Sequence, residues 1–277
     1  MMVGHLSRVR RYPVKSMLGE DLDEVAVSAR GLWGDRALAV VDQATGRVAS
    51  AKHPRLWRAL LAIAASGAPP ETSLRFPDGA AVMTSDPGAG TRLAGFLGRE
   101  VSLAEVPPPG ATLQRAVPEE VLLHGVDAEV AVQESRIGGV APPGTFFDYA
   151  PVHLVTTSTL ARLGELSPRG VIQAERYRPN LVVETDGVGL VEAAWAGRRL
   201  AVGAEVELEV LVSTPRCSVP TLAHGELPRD LDALRIPAAW SRVEIPGLGK
   251  VACVGVYARV ARSGRLRCGD EVRLLGD

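Results

Sequence analysis

An alternating run of apolar and acidic residues that ends at a proline constrains this chain more than any other stretch. In residues 205–222, EVELEVLVSTPRCSVPTL, the apolar positions 206, 208, 210 and 212 alternate with glutamates and one leucine. An apolar residue at every second position is typical of a strand with one buried face. We expect this strand to end at Pro215, so that Arg216 and Cys217 lie just beyond the end of a rigid sheet.

Cys217 carries the most reactive side chain of this stretch. A cysteine is by default a small buried apolar residue, and Cys253 in VACVGV is interpreted in that way. Cys217 instead follows a permanent cation and precedes Ser218 in a polar turn, which favours the thiolate. The residues alone leave a metal ligand and a nucleophile equally open. In the second role His224 and Asp230 would complete a Cys-His-Asp site, although such residues usually converge from distant segments.

Short strands separated by turn residues account for most of the chain. Their spacing is typical of barrels and sandwiches, and helices are expected only over short segments such as 90–97 and 158–166. The expected fold is therefore mainly β, of the β-barrel type, with a few short helices. The proline-rich stretch 106–118, VPPPGATLQRAVP, has no clear period. It predicts a boundary between two β-rich domains, 1–108 and 109–277.

Composition excludes several classes of protein. Lys and Arg number 31 against 32 Asp and Glu, a formal net charge of -1, so no general positive field would attract a nucleic acid. No apolar run approaches the roughly 18 residues of a membrane span, and the N-terminus lacks a secretory signal. Three cysteines fit a reducing compartment. We expect a cytoplasmic protein with no nucleic-acid partner and no membrane contact.

Cations are concentrated in local clusters that suit an anionic ligand. Lys15 and Ser16 follow a rigid Tyr-Pro step, and Arg36 lies in a Gly-Asp-Arg turn. A lysine supplies a point charge and a serine a neutral donor, a combination that binds phosphate. The alternatives are a solvated loop lysine and an ion pair between Arg36 and Asp35.

The run Arg176-Tyr177-Arg178-Pro179-Asn180 leads directly into a predicted strand. Arginine presents a planar fork of donors and asparagine presents both donors and an acceptor, which suits a heteroaromatic or phosphorylated ligand. A structural role for Asn180 as a turn former is the alternative. Only the fold can bring this cluster together with the lysine cluster and the cysteine.

Taken in order, these motifs resemble the MOSC family, named for the C-terminal domain of molybdenum cofactor sulfurase, with its N-terminal β-barrel domain. The matching text is YPVKSMLGEDLDEVAVSARGLWGDRALAVVD and ASAKHPRL in the first half, and ERYRPNLVVE, W-x-G-x-x-L-x-V-G, PRCSVPT and GVYARVARSGRLRCGDEV in the second. The resemblance depends on the order and number of motifs. It is incomplete at Ala51-Lys52-His53, where relatives often have Thr-Ala-Arg, so no ligand contact is transferred to that position.

The resemblance implies a protein similar to the amidoxime-reducing components, which binds the molybdenum cofactor, molybdopterin carrying molybdenum. Cys217 would be the protein ligand of the metal and the catalytic residue. The resemblance implies Lys15, Ser16, Arg36, Arg178 and Asn180 as cofactor-binding residues. Arg176 and Arg216, cations of the same clusters, are further candidates for cofactor binding. Neither pyridoxal phosphate nor an iron-sulfur cluster is expected in this chain, because no cysteine desulfurase domain precedes residue 1 and no ferredoxin domain follows residue 277.

The implied activity is the reduction of N-hydroxylated or related N-oxygenated small molecules by oxygen transfer at molybdenum. Such an oxidoreductase would depend on a separate electron-donor protein (a ferredoxin, a flavodoxin or a cytochrome b5-like protein). The main alternative is a sulfur carrier or cofactor-delivery protein that holds a persulfide on Cys217 and depends on a sulfur donor. A thiol hydrolase using Cys217 and His224 is a further alternative.

Overall fold

A computed structural model describes residues 1–187 and 189–276. The strands of the first half are β1 (Met2–Arg11), β2 (Glu20–Leu22), β3 (Glu24–Ser28), β4 (Gly31–Leu32), β5 (Ala39–Asp42), β6 (Ala64–Ser66), β7 (Ser73–Arg75), β8 (Ala81–Met83) and β9 (Val101–Ala104). The later strands are β10 (Thr112–Ala116), β11 (Val132–Arg136), β12 (Val152–Thr156), β13 (Leu181–Glu184), β14 (Arg199–Val202), β15 (Val206–Pro215), β16 (Arg242–Ile245), β17 (Gly249–Arg262), β18 (Gly264–Arg267) and β19 (Glu271–Leu274).

Helices are short in the described part of the chain. The α-helices are α1 (Pro54–Trp57), α2 (Ala89–Leu97), α3 (Pro118–His124), α4 (Thr157–Glu165) and α5 (Asp232–Trp240). Single 3₁₀ segments cover Arg58–Ala62, Ala174–Arg176, Val191–Trp195 and Val219–Thr221. Within residues 1–187 and 189–276, none of these helices combines the length and the apolarity that crossing a membrane requires.

The largest sheet closes on itself as a seven-stranded barrel. Its strands follow the order β12-β13-β1-β19-β14-β15-β17, and β17 pairs with β12 to complete the circle. The β12–β13 pair is parallel and the other neighbours are antiparallel. Strands β2 and β16 extend the sheet beside β1 and β17. The expectation of a mainly β, barrel-type fold with a few short helices is confirmed.

Aliphatic side chains fill the barrel because each strand points every second residue inward. On β15 the inward residues are Val206, Leu208 and Val210, all fully buried. Burying an aliphatic side chain of this size stabilises the fold by roughly 1.5–3 kcal/mol. The alternating run in the sequence is therefore the inner and outer face of one barrel strand.

The regular alternation of β15 breaks near its end. A register shift between Val210 and Val212 leaves Leu211 and Val212 half-buried, while Ser213 becomes buried. Such a bulge bends a strand and redirects its side chains. The strand ends at Pro215, as the sequence predicts, and the bulge sends its last residues toward the other half of the protein.

Strand β1 belongs to the barrel although it is the first segment of the chain. It pairs with β13 through His5 and Glu184, and with β19 through Met2 and Arg273. The predicted division at 108/109 would assign β1 to the first domain, whereas its hydrogen bonds join it to strands of the second half.

The rest of the first half packs around a second core. Strands β6, β7 and β8 form one small sheet, β5 pairs with β9, and α2 covers them. Met17, Leu38, Trp57 and Leu93 are buried between these elements. The predicted helix over 90–97 is present. The residues 77–79, Pro-Asp-Gly, favour a turn and separate β7 from β8. The proline-rich segment 106–118 contains β10, which sequence patterning missed because its residues TLQRA do not alternate apolar with polar.

Helix α4 begins one residue earlier than the capping pattern suggests. The sequence favours Thr157 or Ser158 as the N-cap, but Thr156 occupies that position and its hydroxyl accepts a hydrogen bond from the backbone N–H of Thr159. The prediction fails by one position because four hydroxyl residues follow one another at 156–159, and only the backbone geometry decides which of them caps the helix.

Candidate functional site

A cavity of about 600 Å³ opens where β15 ends, between the barrel and the smaller sheets. Both halves of the chain contribute to its walls. The residues of the sequence prediction that line it are Lys15, Ser16, Arg36, Arg178, Asn180, Arg216 and Cys217. Segments that are distant in sequence thus meet at one place, beside the predicted thiol.

Cys217 lies at the base of β15, fixed by the sheet. The backbone N–H of Arg216 donates to the carbonyl of Ala252 at 2.9 Å and so extends the ladder one residue past the proline. Cys217 is 9% exposed and packs against apolar neighbours that include Ala51 and Leu222. Of the cysteines in the described chain, it alone lines the cavity.

The guanidinium of Arg216 faces the barrel wall. It donates to the carbonyls of Tyr177 at 2.8 Å and Val254 at 3.4 Å, and it lies 5.2 Å from the centre of the Tyr177 ring. These contacts fasten the end of β15 to β17 and to the segment before β13. Arg216 therefore positions the turn that carries Cys217.

Two lysines share one carboxylate inside the cavity. The ammonium of Lys15 lies 2.8 Å from Asp148 and donates to the carbonyl of Phe146 at 2.7 Å, while that of Lys52 lies 2.8 Å from the other oxygen of Asp148. Burial lowers the pKa of Lys52 to about 8. Burial alone would raise the pKa of Asp148, but the two ammonium groups hold it well below its usual range. An ammonium has three donors, so both lysines keep donors for a ligand.

Three residues in a left-handed backbone conformation meet at the cavity. Ser16, Arg36 and Arg178 have φ angles of 64°, 46° and 57°, and they are the non-glycine residues with positive φ in the described chain. Such conformations cost of order 1–3 kcal/mol each and cluster at binding sites. All three were candidates from the sequence, and their backbone strain supports a ligand site here.

Asn180 is held by other protein groups. Its amide nitrogen donates to the carbonyl of Arg10 at 3.1 Å and to Asp35 at 3.0 Å, and its oxygen accepts from the backbone N–H of His153 at 3.2 Å. Both of its N–H donors are therefore engaged. These contacts give Asn180 a structural role, in which it joins β1, β12 and the loop of Arg36, which itself pairs with Asp35.

Arg178 carries a buried donor without a partner. Its guanidinium and that of Arg36 lie 4.3 and 4.4 Å from the centre of the Tyr12 ring. Burial lowers the pKa of Arg178 to about 10, and no described residue accepts a hydrogen bond from its Nη1 atom. An unpaired buried donor is costly. An anionic ligand such as a phosphate would satisfy it.

Arg176 and His224 lie away from the cavity lining. Arg176 is fully buried and donates to the side chain of Gln173 at 2.7 Å, with Asp230 4.0 Å away. The Nδ1 of His224 donates to the carbonyl of Leu222, and burial lowers its pKa to about 3. Neither His224 nor Asp230, the residues of the hydrolase alternative, is among the described residues that line the cavity beside Cys217.

Lining residues that the sequence prediction did not include are, among others, Lys52, Arg115, Asp148 and Tyr257. Lys52 follows the Arg36 cluster in the sequence and belongs to the ASAKHPRL match, within the departure from the family pattern. Tyr257 was detectable in principle, because the alternation of VGVYARV turns it away from the barrel core.

The metal-ligating side chains at the cavity fit a metal whose other ligands come from a cofactor. Within residues 1–187 and 189–276, no three His, Cys, Asp or Glu side chains converge on a possible metal position. A soft metal at Cys217 would thus take most of its ligands from a cofactor. The thiolate suits molybdenum, and the lysines and Arg178 suit the phosphate of molybdopterin.

Comparison with solved structures returns distant likenesses. The YUAD protein from Bacillus subtilis is 12% identical, with a TM-score of 0.46, over 98% of this chain and 94% of that chain. YiiM from Geobacillus stearothermophilus is 16% identical, with a TM-score of 0.34, over 46% of this chain and 55% of that chain. None of the curated proteins matches the chain.

Family models match two consecutive regions. The model of the MOSC N-terminal beta barrel domain matches residues 3–85, and that of the MOSC domain matches residues 141–273. Together they account for most of the chain, in the order that the sequence motifs indicate. The chain therefore belongs to the MOSC family, with a MOSC N-terminal β-barrel domain followed by a MOSC domain.

Proposed function

We propose that this protein is a molybdenum cofactor-dependent oxidoreductase that reduces N-hydroxylated or related N-oxygenated small molecules, with Cys217 as the metal ligand. MOSC domains are associated with molybdenum cofactor-binding proteins. The observation that supports the proposal best is a single cysteine at a cavity lined by cations. A site with one thiolate and several phosphate-binding groups suits a cofactor that carries both a metal and a phosphate.

Each residue of the cavity would have a defined task. Cys217, held by the end of β15, would bind the metal. Lys15, Lys52 and Arg178 would hold the phosphate, since they retain donors or an unpaired donor. Arg36 would add charge beside them. When bound, the cofactor supplies two-electron oxygen-transfer chemistry, and the protein positions it.

The proposed reaction balances with an external reductant. An N-hydroxylated substrate takes up two electrons and two protons, its N–O bond breaks, and it leaves as the N–H compound and water. The electrons would come from a separate electron-donor protein of the ferredoxin, flavodoxin or cytochrome b5-like class. The protons would come from solvent that enters the cavity.

Metal and pterin analysis tests the proposal. Protein purified from a host that makes the cofactor is expected to hold molybdenum and pterin in equimolar amounts with the chain. Cys217→Ser should lose molybdenum and keep its circular dichroism spectrum. Cys268→Ser is the matched control, because that cysteine is exposed and lies outside the cavity lining. Metal-free wild-type protein that cannot be reconstituted would refute the proposal.

The same samples test the alternative of a sulfur carrier or cofactor-delivery protein. Cys217 is the one cysteine of the described chain that lines the cavity, so a persulfide would form there. Mass spectrometry that finds a stable sulfur adduct on Cys217, in protein without molybdenum, would favour this alternative and a sulfur-donor partner.

A further inference from the structure

The cavity has apolar and aromatic walls that the proposed cofactor contacts leave unused. We propose that these residues form a subsite for the flat apolar body, aromatic in particular, of a substrate that carries no positive charge. The inference rests on the proposed function for the reacting group, but its binding test does not. The subsite consists of Tyr149, Leu211, Val212, Pro246, Leu248 and Tyr257.

Barrel geometry places the wall of this subsite. Tyr257 on β17 pairs with Val212 on β15 and with His153 on β12. Directly paired residues of neighbouring strands lie on the same face of a sheet. The adjacent residue Val256 is fully buried in the barrel core, so Tyr257 and its two partners face outward, into the cavity.

Two aromatic rings stand together on this wall. The ring centres of Tyr149 and Tyr257 are 5.4 Å apart, and that of His153 lies 5.8 Å from Tyr257. Burial first, and then the charge of Asp148, raise the pKa of Tyr257 to about 12, so its phenol stays protonated. No described residue hydrogen-bonds to that phenol. A flat ligand can therefore contact the tyrosine rings and accept a hydrogen bond from Tyr257.

The β16–β17 hairpin completes the subsite at the rim. Its strands pair from Arg242 with Ala252 to Ile245 with Gly249, which leaves residues 246–248 as the tip. Leu248, on this tip, is 57% exposed although it lines the cavity. When an apolar ligand surface covers an exposed apolar side chain at the rim, both surfaces leave water, and this favours binding.

Charge restricts what kind of ligand enters. Among the described residues, the lining includes one carboxylate, Asp148, and six cationic residues: Lys15, Arg36, Lys52, Arg115, Arg178 and Arg216. His153 adds no charge, because burial and then Arg216 hold its pKa well below its usual range. A phosphate would offset only part of this excess. A substrate that arrives as a cation would therefore be repelled.

Calorimetric binding to the purified full-length protein tests the subsite. The probes are three N-hydroxyamidines that share a reacting end and differ in their body: phenyl, methyl, and phenyl with a cationic aminomethyl group. We expect the phenyl probe to bind about tenfold more tightly than the methyl probe, from the apolar area that its ring buries. The cationic probe should bind less tightly than the phenyl probe. Equal affinity of the phenyl and methyl probes, or tightest binding of the cationic probe, would overturn the inference.

The Leu248→Ala variant tests the subsite separately from the rest of the cavity. This exposed position tolerates truncation, and the variant should weaken phenyl binding about threefold while methyl binding stays the same. Leu123→Ala, at a leucine that is 77% exposed and outside the lining, should change neither. An equal effect of Leu248→Ala on both probes, or no effect, would contradict the subsite.

Molybdenum content, measured on each sample, keeps the two proposals distinct. Protein that holds molybdenum but does not favour the phenyl probe would refute the subsite and leave the proposed function intact. Phenyl-selective binding that depends on Leu248, in protein that cannot be loaded with molybdenum, would support the subsite and refute the proposed function.

Discussion

The carboxylate of Asp148 lies 2.8 Å from the ammonium of Lys52, inside a cavity where cations outnumber anions. Its second oxygen meets Lys15 at the same distance. One carboxylate therefore holds two buried ammonium groups in position before any ligand arrives. A preorganised pair of this kind lowers the cost of ordering side chains on binding.

Removing that carboxylate should destabilise the protein. In Asp148→Asn, Lys15 and Lys52 would lose the one carboxylate among the described residues that line the cavity. The free energy of unfolding is expected to fall by about 1–3 kcal/mol, less than for a fully dry ion pair because Asp148 is partly exposed. Urea denaturation measures this change.

The control for this variant is Asp127→Asn, which removes the partner of Arg58 from an exposed ion pair. Pairs of that kind contribute about 0–1 kcal/mol. A loss in Asp148→Asn no greater than that of the control would show that the two lysines do not depend on the shared carboxylate.

Arg178 should lower the free energy of unfolding of the metal-free protein and strengthen ligand binding. Its strained backbone, buried position and unpaired Nη1 all cost stability in the absence of an anion. Arg178→Gln removes the buried charge, so metal-free protein should become more stable by about 1 kcal/mol, while the cofactor that copurifies with the protein should decrease sharply. Urea midpoints and molybdenum content measure the two effects. Arg265→Gln, at an exposed residue paired with Glu24, should change neither; a destabilised Arg178→Gln with full molybdenum content would contradict this prediction.

His224 should make folding stability depend on pH. Its pKa is depressed to about 3 in the folded protein, by burial first, against about 6.5 in an unfolded chain. Between these values the unfolded state binds more protons, so the contribution of His224 is complete above about pH 6.5 and is lost as the pH falls toward 3. Wild type should therefore lose stability on acidification more steeply than His224→Asn. Urea midpoints between neutral pH and about pH 4 test this, and parallel curves for the two proteins would disprove it.

Thr156 should contribute more to the free energy of unfolding than an ordinary helix cap does. Its hydroxyl accepts the backbone N–H of Thr159 and donates to the carboxylate of Glu192 at 2.6 Å, all of them buried. Thr156→Ala removes both hydrogen bonds and should cost about 2 kcal/mol, whereas Thr156→Ser keeps the hydroxyl and should cost under about 1 kcal/mol. Thermal and urea unfolding compare the two variants. Equal losses would mean that the methyl group matters and the hydroxyl does not.

Local sequence patterns predicted structure best where one face of a strand is buried and so requires apolar residues. The alternation in 205–212 and the stop at Pro215 predicted β15 and its end, because an inward side chain must be apolar and proline cannot continue the ladder. Turn and helix-start residues located the β7–β8 hairpin and α2. Sequence patterning missed β10, whose residues TLQRA do not alternate, and it misplaced the cap of α4 by one residue.

Local patterns in the sequence showed the candidate residues as separate clusters. A structural or surface role was the alternative for several of them. The family resemblance implied one shared cofactor site. The contacts within it, such as that between Lys15 and Asp148, could not be read from the sequence, because they depend on how distant segments pack. The contacts of Asn180 and many of those of Arg216 are structural, because backbone carbonyls and neighbouring side chains engage their polar groups.

The sequence by itself determined the mainly β barrel fold, the position of a cysteine just past the end of a strand, and membership of the MOSC family, since all three follow from local order along the chain. The tertiary structure alone decided that Cys217 faces Lys15, Lys52 and Arg178 across one cavity, that Arg176 and His224 lie outside it, and that a tyrosine wall stands beside it. The physical reason is that strand periodicity is local, whereas barrel closure and the bulge in β15 set which outward side chains share a space.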